Sequence, residues 1–125
     1  MDKDTSLAEL RHLVERFVAE RHWQPFHTPK NLAMALAIEA AELMEHFQWL
    51  TPEESAALAG QPEKLGAVAD ELADVTCYVL ALASALSLDL STAVRNKMVK
   101  NAQKYPADEF RGRWGHGDSR PAQPA

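Results

Sequence analysis

The chain has 125 residues and a formal net charge of −5, from 13 Lys plus Arg against 18 Asp plus Glu. That length suits one domain, and 46% hydrophobic with 25% charged residues is the balance of a folded globular protein, not a disordered one. The acidic excess argues against a general nucleic-acid binder, whose affinity for phosphates comes from Lys and Arg, although a bound divalent cation can reverse the local field for a small anionic ligand. A single cysteine, Cys77, leaves no intrachain disulfide and no cysteine-based zinc or haem site. No basic start followed by an apolar run opens the chain, and its longest uncharged stretch, Val75 to Leu88, is too short to span a bilayer. The expectation is a soluble cytoplasmic protein with neither membrane nor nucleic acid as partner.

Strand patterns are nearly absent, and Ala, Leu and Glu dominate, so the sequence predicts an all-α fold. A first helix is expected over Leu7 to Arg21, opened by a Ser6/Glu9 capping box, with Leu7, Leu10, Leu13, Val14, Phe17 and Val18 on one apolar face. The stretch Arg21 to Thr28 breaks the pattern and holds Trp23, Pro25, Phe26 and His27. Thr28 as N-cap and Pro29 at the first helical position start a second helix to about Trp49, with Leu32, Leu36, Leu43 and Phe47 as its buried stripe. Thr51-Pro52-Glu53-Glu54 opens a short extra helix that stops near Gly60. Pro62 begins a third long helix to about Leu86, with Leu65, Val68, Leu72, Val79 and Leu86 on one face. From Val75 onward it is apolar nearly all round, which calls for cover on every side and implies contact with another subunit. Asp89 caps a fourth long helix to about Lys104. The expected architecture is a four-helix-type bundle over residues 1–106. The Gly- and Pro-bearing residues 107–125 are expected to form an extended or partly disordered tail anchored by Trp114.

The informative residues are acidic. Glu39 falls between Leu36 and Leu43, inside the second helix's apolar stripe, where a lone carboxylate carries a desolvation penalty unless something positive meets it. Glu42 follows one turn on, and with Glu45 it also fits an ordinary solvated face. The third helix has a matching pair, Glu71 and Asp74, with Tyr78 one turn later and Ala67, Ala81 and Ala85 on the same side. Two carboxylates per helix, on neighbouring helices packed antiparallel, can gather into a cluster of oxygen ligands. Such charges either take up protons or bind a cation, and an oxygen-only set suits Mg²⁺ or Mn²⁺. The one Glu-x-x-His pair, Glu9 with His12, reads as surface, so a di-iron bundle is not indicated. On the fourth helix Lys97, Asn101 and Tyr105 continue the face of Leu90 and Val94, with Lys104 beside them. They could hold phosphate oxygens, or form a solvated C-terminal end where Lys is favoured anyway. Trp23, Trp49 and Tyr78 could stack a flat base or simply be core. His27 sits at a helix start, and Cys77 reads as a buried, inert thiol.

The ordered set resembles a known family. Phe26-His27-Thr28-Pro29-Lys30-Asn31-Leu32, Glu39-Ala40-Ala41-Glu42-Leu43, Phe47-Gln48-Trp49, Asp70-Glu71-Leu72-Ala73-Asp74-Val75 with Tyr78, and Lys97-Met98 with Asn101 and Lys104-Tyr105-Pro106 are similar to the MazG-like all-α nucleoside triphosphate pyrophosphohydrolases, most of all to the dCTP pyrophosphatase branch. The resemblance spans about Leu7 to Pro106. It implies a helical homodimer or homotetramer that splits nucleoside triphosphates, dCTP or a modified dCTP among them, between the α and β phosphates with Mg²⁺. By motif, Glu39, Glu42, Glu71 and Asp74 would be metal ligands, and Lys97, Asn101, Lys104 and Tyr105 would touch phosphate or sugar. Trp23, His27, Trp49 and Tyr78 would shape the base and sugar pocket. Where many relatives carry an extra Glu before the first ligand, this chain has Ile38. Two other readings stand beside this one: a non-catalytic nucleotide- or partner-binding oligomer with a structural cation site, and the same fold acting on another diphosphate linkage such as a phosphoribosyl nucleotide.

Overall fold

The computed structural model describes residues 1–125 and is all-α, with no residue in a strand. Its helices are α1 (Leu7–Glu20), α2 (Pro29–Glu45), α3 (Pro52–Ala57), α4 (Pro62–Ala85), α5 (Leu90–Lys104) and α6 (Ala107–Phe110), with 3₁₀ turns at Gln24–Phe26 and Leu58–Gly60. The chain forms two compact units, Met1–Leu88 and Asp89–Ala125. No single helix is long and apolar enough to cross a membrane.

Side-chain caps set the helix starts. Ser6 Oγ accepts the Glu9 N–H while the Glu9 carboxylate accepts the Ser6 N–H at 2.6 Å, and Thr51 and Glu54 repeat this reciprocal pair. Thr28 Oγ1 accepts from the Asn31 N–H, and Asp89 Oδ1 from the Thr92 N–H at 2.7 Å. Each satisfies donors that the first helical turn leaves without an internal partner.

The helix ends were less visible in the sequence. α1 and α4 both close in a Schellman motif. After α1 the Trp23 N–H reaches back to Val18 O and the His22 N–H to Ala19 O; after α4 the Leu88 N–H reaches Ala83 O and the Ser87 N–H reaches Ser84 O. The left-handed position is filled by His22 (φ 53°) and Ser87 (φ 52°), not by glycine. α2 stops at Glu45 instead of running on to Trp49. From His46 the N–H groups bond mostly three residues back, His46 to Leu43, Phe47 to Met44 and Leu50 to Phe47. That tightening into 3₁₀-type turns carries Trp49 outward, where it is 86% exposed.

In the first unit α4 is the central element, packed against α1 and α2. Both neighbours run antiparallel to it. Arg11 Nη2 donates to Leu88 O at 3.0 Å and Ser84 Oγ donates to Glu15 Oε1 at 2.8 Å, so α1 ascends as α4 descends. Val18, Leu32, Leu58, Leu80 and Ala83 are the buried core, with Leu32 and Leu80 each 2% exposed. Burying a leucine contributes about 2 kcal/mol.

The expected stripes are wider than what is covered. On α2 Leu32 is buried and Leu36, Leu43 and Phe47 are half-buried. On α4 the buried residues are Leu80 and Ala83, whereas Leu65, Leu72 and Leu86 from the expected face are exposed. On α1 only Val18 is buried, and Leu7, Leu10, Leu13 and Phe17 are exposed. Two neighbouring helices cover part of an apolar circumference, and the rest stays open.

The second unit holds α5, α6 and a hydrogen-bonded turn. The stretch after Pro106, expected to be extended, begins with a helical turn, and its anchor is Asp118, not Trp114. Asp118 is buried, whereas Trp114 is 76% exposed. The Asp118 carboxylate accepts from Arg120 Nη2 at 2.6 Å and from the Trp114 and Arg120 N–H groups at 3.0 Å, and its carbonyl accepts from Arg113 Nη2 at 2.6 Å. The Arg120 guanidinium, with these two N–H groups, holds the carboxyl well below the usual carboxylate range. Tyr105, Phe110 and His116 form a ring cluster with centroids 4.7–5.2 Å apart. Gly112 (φ 78°) lies against the Gln123 side chain, where a Cβ would collide.

Candidate active site

Glu39 and Glu42 sit one turn apart on α2, and antiparallel packing sets them opposite Glu71 on α4. One carboxylate oxygen from each lies within 4.8 Å of the others. Glu39 and Glu71 are half-buried and Glu42 is exposed. Three like charges this close cannot all remain ionised without a counter-charge. Glu39 takes the strain. Its carboxyl is pushed up to about 7, first by a shared hydrogen bond with Glu42, then by burial and by the charges of Glu42, Asp74 and Glu71. An oxygen-only set at this spacing fits a divalent cation, which would replace the shared proton.

Asp74, the fourth expected ligand, stands one turn beyond Glu71, is exposed and lies outside the three-acid cluster. Its charge still acts on Glu39, Tyr78 and Cys77. Burial first, then Glu39 and Asp74, push the Tyr78 phenol up.

Asp74 also lines a cavity of about 360 Å³ together with Trp23, His27, Cys77, Tyr78 and the α1 residues Leu13, Val14 and Phe17. Its walls are mostly apolar, with polar groups from Asp74, His27 and Tyr78, the character of a small-molecule pocket. Trp23 is placed there by the Schellman turn and meets Phe17 edge-on at 5.8 Å. A second hollow of about 390 Å³ continues from His27 past Val14 and Leu32 to Gln24, Glu15 and Ser84. A broader, open depression of about 710 Å³ is lined only by α1 and the residue Thr5 before it, and none of the clustered acids lines it.

Cys77 is not the buried thiol the sequence suggested. It is exposed and faces the cavity, although partial burial, then Asp74, pushes its pKa up, which keeps it a thiol and not a reactive thiolate. Trp49 stands apart from this cavity on the turns after α2.

The cationic and amide residues belong to the second unit. Lys97 is exposed on α5, Asn101 is half-buried there with its Nδ2 directed at Met98 Sδ at 3.8 Å, and Tyr105 caps the helix. Lys104 Nζ lies 5.3 Å from the Tyr105 ring centroid.

Sequence reasoning passed over His46 and the wall residues Leu13 and Phe17. His46 continues the Glu39–Glu42 spacing by one more turn, a signal present in the sequence. The α1 residues read simply as core, because periodicity does not distinguish a core face from a pocket wall.

The chain is 43% identical over 109 residues to rat dCTP pyrophosphatase 1, covering 87% of this chain and 64% of that protein. It is 42% identical over 104 residues to the human protein of the same name, covering 83% and 61%. The chain thus spans less than two thirds of the length of the curated relatives it matches. A crystal structure of a pyrophosphatase from Archaeoglobus fulgidus superposes with a TM-score of 0.73 at 40% identity, covering 79% of this chain and 91% of that one. The MazG-like family model matches residues 34–115, a span that takes in both acidic pairs and all of α5, and this chain belongs to the MazG-like family.

Proposed function

We propose that this chain hydrolyses (deoxy)nucleoside triphosphates, with dCTP or a modified dCTP as the expected substrate, to the monophosphate and pyrophosphate, as a nucleotide-pool sanitation enzyme. The observation that carries the reading is the acid cluster of Glu39, Glu42 and Glu71 beside a mostly apolar cavity lined by Trp23 and Tyr78. The names of the relatives and of the crystal neighbour favour the same chemistry.

In this reading Glu39, Glu42, Glu71 and Asp74 hold Mg²⁺, or Mn²⁺ in its place. When bound, the cation supplies neutralisation of the triphosphate and acidifies an attacking water. The remaining work belongs to the chain. A carboxylate oxygen of Glu39 or Glu42 accepts the water's proton as general base. Lys97 offsets charge developing on the bridging oxygen, and Asn101, Lys104 and Tyr105 hold phosphate or sugar. Trp23 and Tyr78 flank the base, with His27 at the junction of the two hollows. Base–aromatic stacking contributes about 1–3 kcal/mol per base. The lone thiol Cys77 suits a reducing, cytoplasmic setting.

The active form is a homodimer or homotetramer. Exposed Leu10, Leu13, Met34, Ile38, Leu65 and Leu72 support this, because apolar faces on three helices are unusual for a monomer. Trp49, which no wall of the first unit's cavity includes, would then meet substrate from its exposed turn.

The test is incubation with a nucleotide panel and Mg²⁺, with products resolved. Monophosphate and pyrophosphate are expected; orthophosphate would refute the assigned bond. Glu71→Gln should abolish turnover, and unaltered turnover would remove Glu71 from the ligand set. Binding of nucleotide without any turnover would favour the non-catalytic alternative.

A further inference from the structure

The acidic stripe of α2 continues past the end of the helix. Glu39, Glu42 and His46 fall at i, i+3 and i+7 on one face, and His46 is the C-cap residue, at φ −68° and ψ −19°. Its Nε2 lies 3.9 Å from Glu71 Oε1 on α4, with the two side chains 32% and 25% exposed. The other contacts of this kind between a basic group and a carboxylate in the first unit are His12 with Glu15 and Arg21 with Glu20, both away from the cluster. His46 is therefore the one imidazole or cationic group that such a contact brings to Glu39, Glu42 or Glu71.

We propose that His46 is a positioning residue of the cation site, its Nε2–H holding Oε1 of Glu71 so that the other carboxylate oxygen faces Glu39 and Glu42. The inference rests on the cation-site reading above and extends it to a residue outside the acidic set. Glu71 faces two other carboxylates within 4.8 Å, and their repulsion drives its flexible side chain outward. A donor fixed to one oxygen opposes that motion and limits rotation of the group. A Lys or Arg would do the same only by adding a permanent positive charge beside the cation, whereas an imidazole N–H can donate without a permanent charge. The 3.9 Å separation is longer than a hydrogen bond, so the proposed role requires the partly exposed ring to turn toward Oε1 of Glu71. Partners behind metal ligands that orient them in this way are worth 10–100-fold in metal affinity, to order of magnitude.

The probe is Mn²⁺ alone, with no nucleotide, and the readout is the electron paramagnetic resonance signal of free Mn²⁺ titrated with the full chain at one fixed pH. Metal-free melting temperatures of all variants are compared first. His46→Leu is expected to raise the Mn²⁺ Kd about tenfold or more. His46→Gln, whose amide nitrogen reaches the place of Nε2, should stay within about threefold of the parent. His46→Asn reaches only the place of Nδ1 and should weaken binding as much as Leu does. If the Leu variant does not fold, the contrast between Gln and Asn decides. Unchanged Kd in the Leu and Asn variants, or equal loss in Gln and Asn, overturns the role of His46 while leaving the cation site standing. A parent chain that binds no Mn²⁺ overturns both.

Discussion

Raising the pH across the neutral range should strip a proton from the acid cluster, and the structure sets the size of the effect. The Glu39 carboxyl, pushed up to about 7, has an ordinary value of 4.5. Between those values the folded chain binds more protons than the unfolded one. Its contribution to stability is then fully present below about pH 4.5 and is lost as pH rises through about 7. The metal-free chain should accordingly melt at a lower temperature near pH 8 than near pH 5. A cation must displace the same proton, so its apparent Kd scales as one plus the ratio of protonated to ionised cluster. With a value of about 7 that factor is about 11 near pH 6 and about 1.1 near pH 8, a gain in affinity of about tenfold over the interval. The value belongs to the proton shared by Glu39 and Glu42 as a pair. Isothermal titration calorimetry with Mg²⁺, in two buffers of different ionisation enthalpy, reads both quantities. About 0.9 proton should be released per cation near pH 6 and about 0.1 near pH 8. Glu39→Gln should flatten both profiles. A flat affinity with no proton release near pH 6 would show that these carboxylates do not share a site.

Four further outcomes are expected. Leu80→Ala, at a position 2% exposed, should cost about 2–5 kcal/mol in urea unfolding; a loss under about 1 kcal/mol would mean that α4 is not the centre of the first unit's core. Trp23→Ala should raise the KM for the preferred nucleotide roughly tenfold with a smaller change in kcat, and an unchanged KM would exclude stacking on this ring. His22→Gly should stabilise the chain by about 1 kcal/mol, since glycine occupies the left-handed region without a Cβ penalty; a lower melting temperature would contradict the Schellman geometry. Asp118→Asn should speed hydrogen exchange at the Trp114 and Arg120 amides, seen by NMR, and unaltered protection would show that the carboxylate does not anchor that turn.

Much of the fold was legible because it rests on short-range chemistry. Ser6, Thr28, Thr51 and Asp89 each cap where a side-chain oxygen stands before a helical run, and the acidic spacing of Glu39, Glu42 and Glu71 needed only the helical repeat. The ends of α1 and α4 were harder, since His22 and Ser87 carry no glycine signature. α2 was overextended because Phe47, Gln48 and Trp49 are compatible with a helix, and only the three-back hydrogen bonds after His46 end it. The exposed faces of Leu65 and Leu72 follow from which helices lie beside α4, a tertiary matter that apolar periodicity does not contain. Asp118 was overlooked for a similar reason. Its importance comes from Arg113, Arg120 and the Trp114 amide closing around it, and no spacing rule announces such a knot.

The Schellman turn after α1 bears on how this pocket can change. Trp23 reaches the cavity because its own amide is tethered to Val18, a bond that any residue except proline can make. The indole is therefore interchangeable hardware on a backbone bracket. Altering position 23, or Leu13 and Phe17 on the adjoining helix, would recut the outline of the hollow while leaving the acids of α2 and α4 where they are. Divergence in ligand preference among chains of this architecture is then expected to accumulate in those few side chains, with the loop length between α1 and α2 held constant.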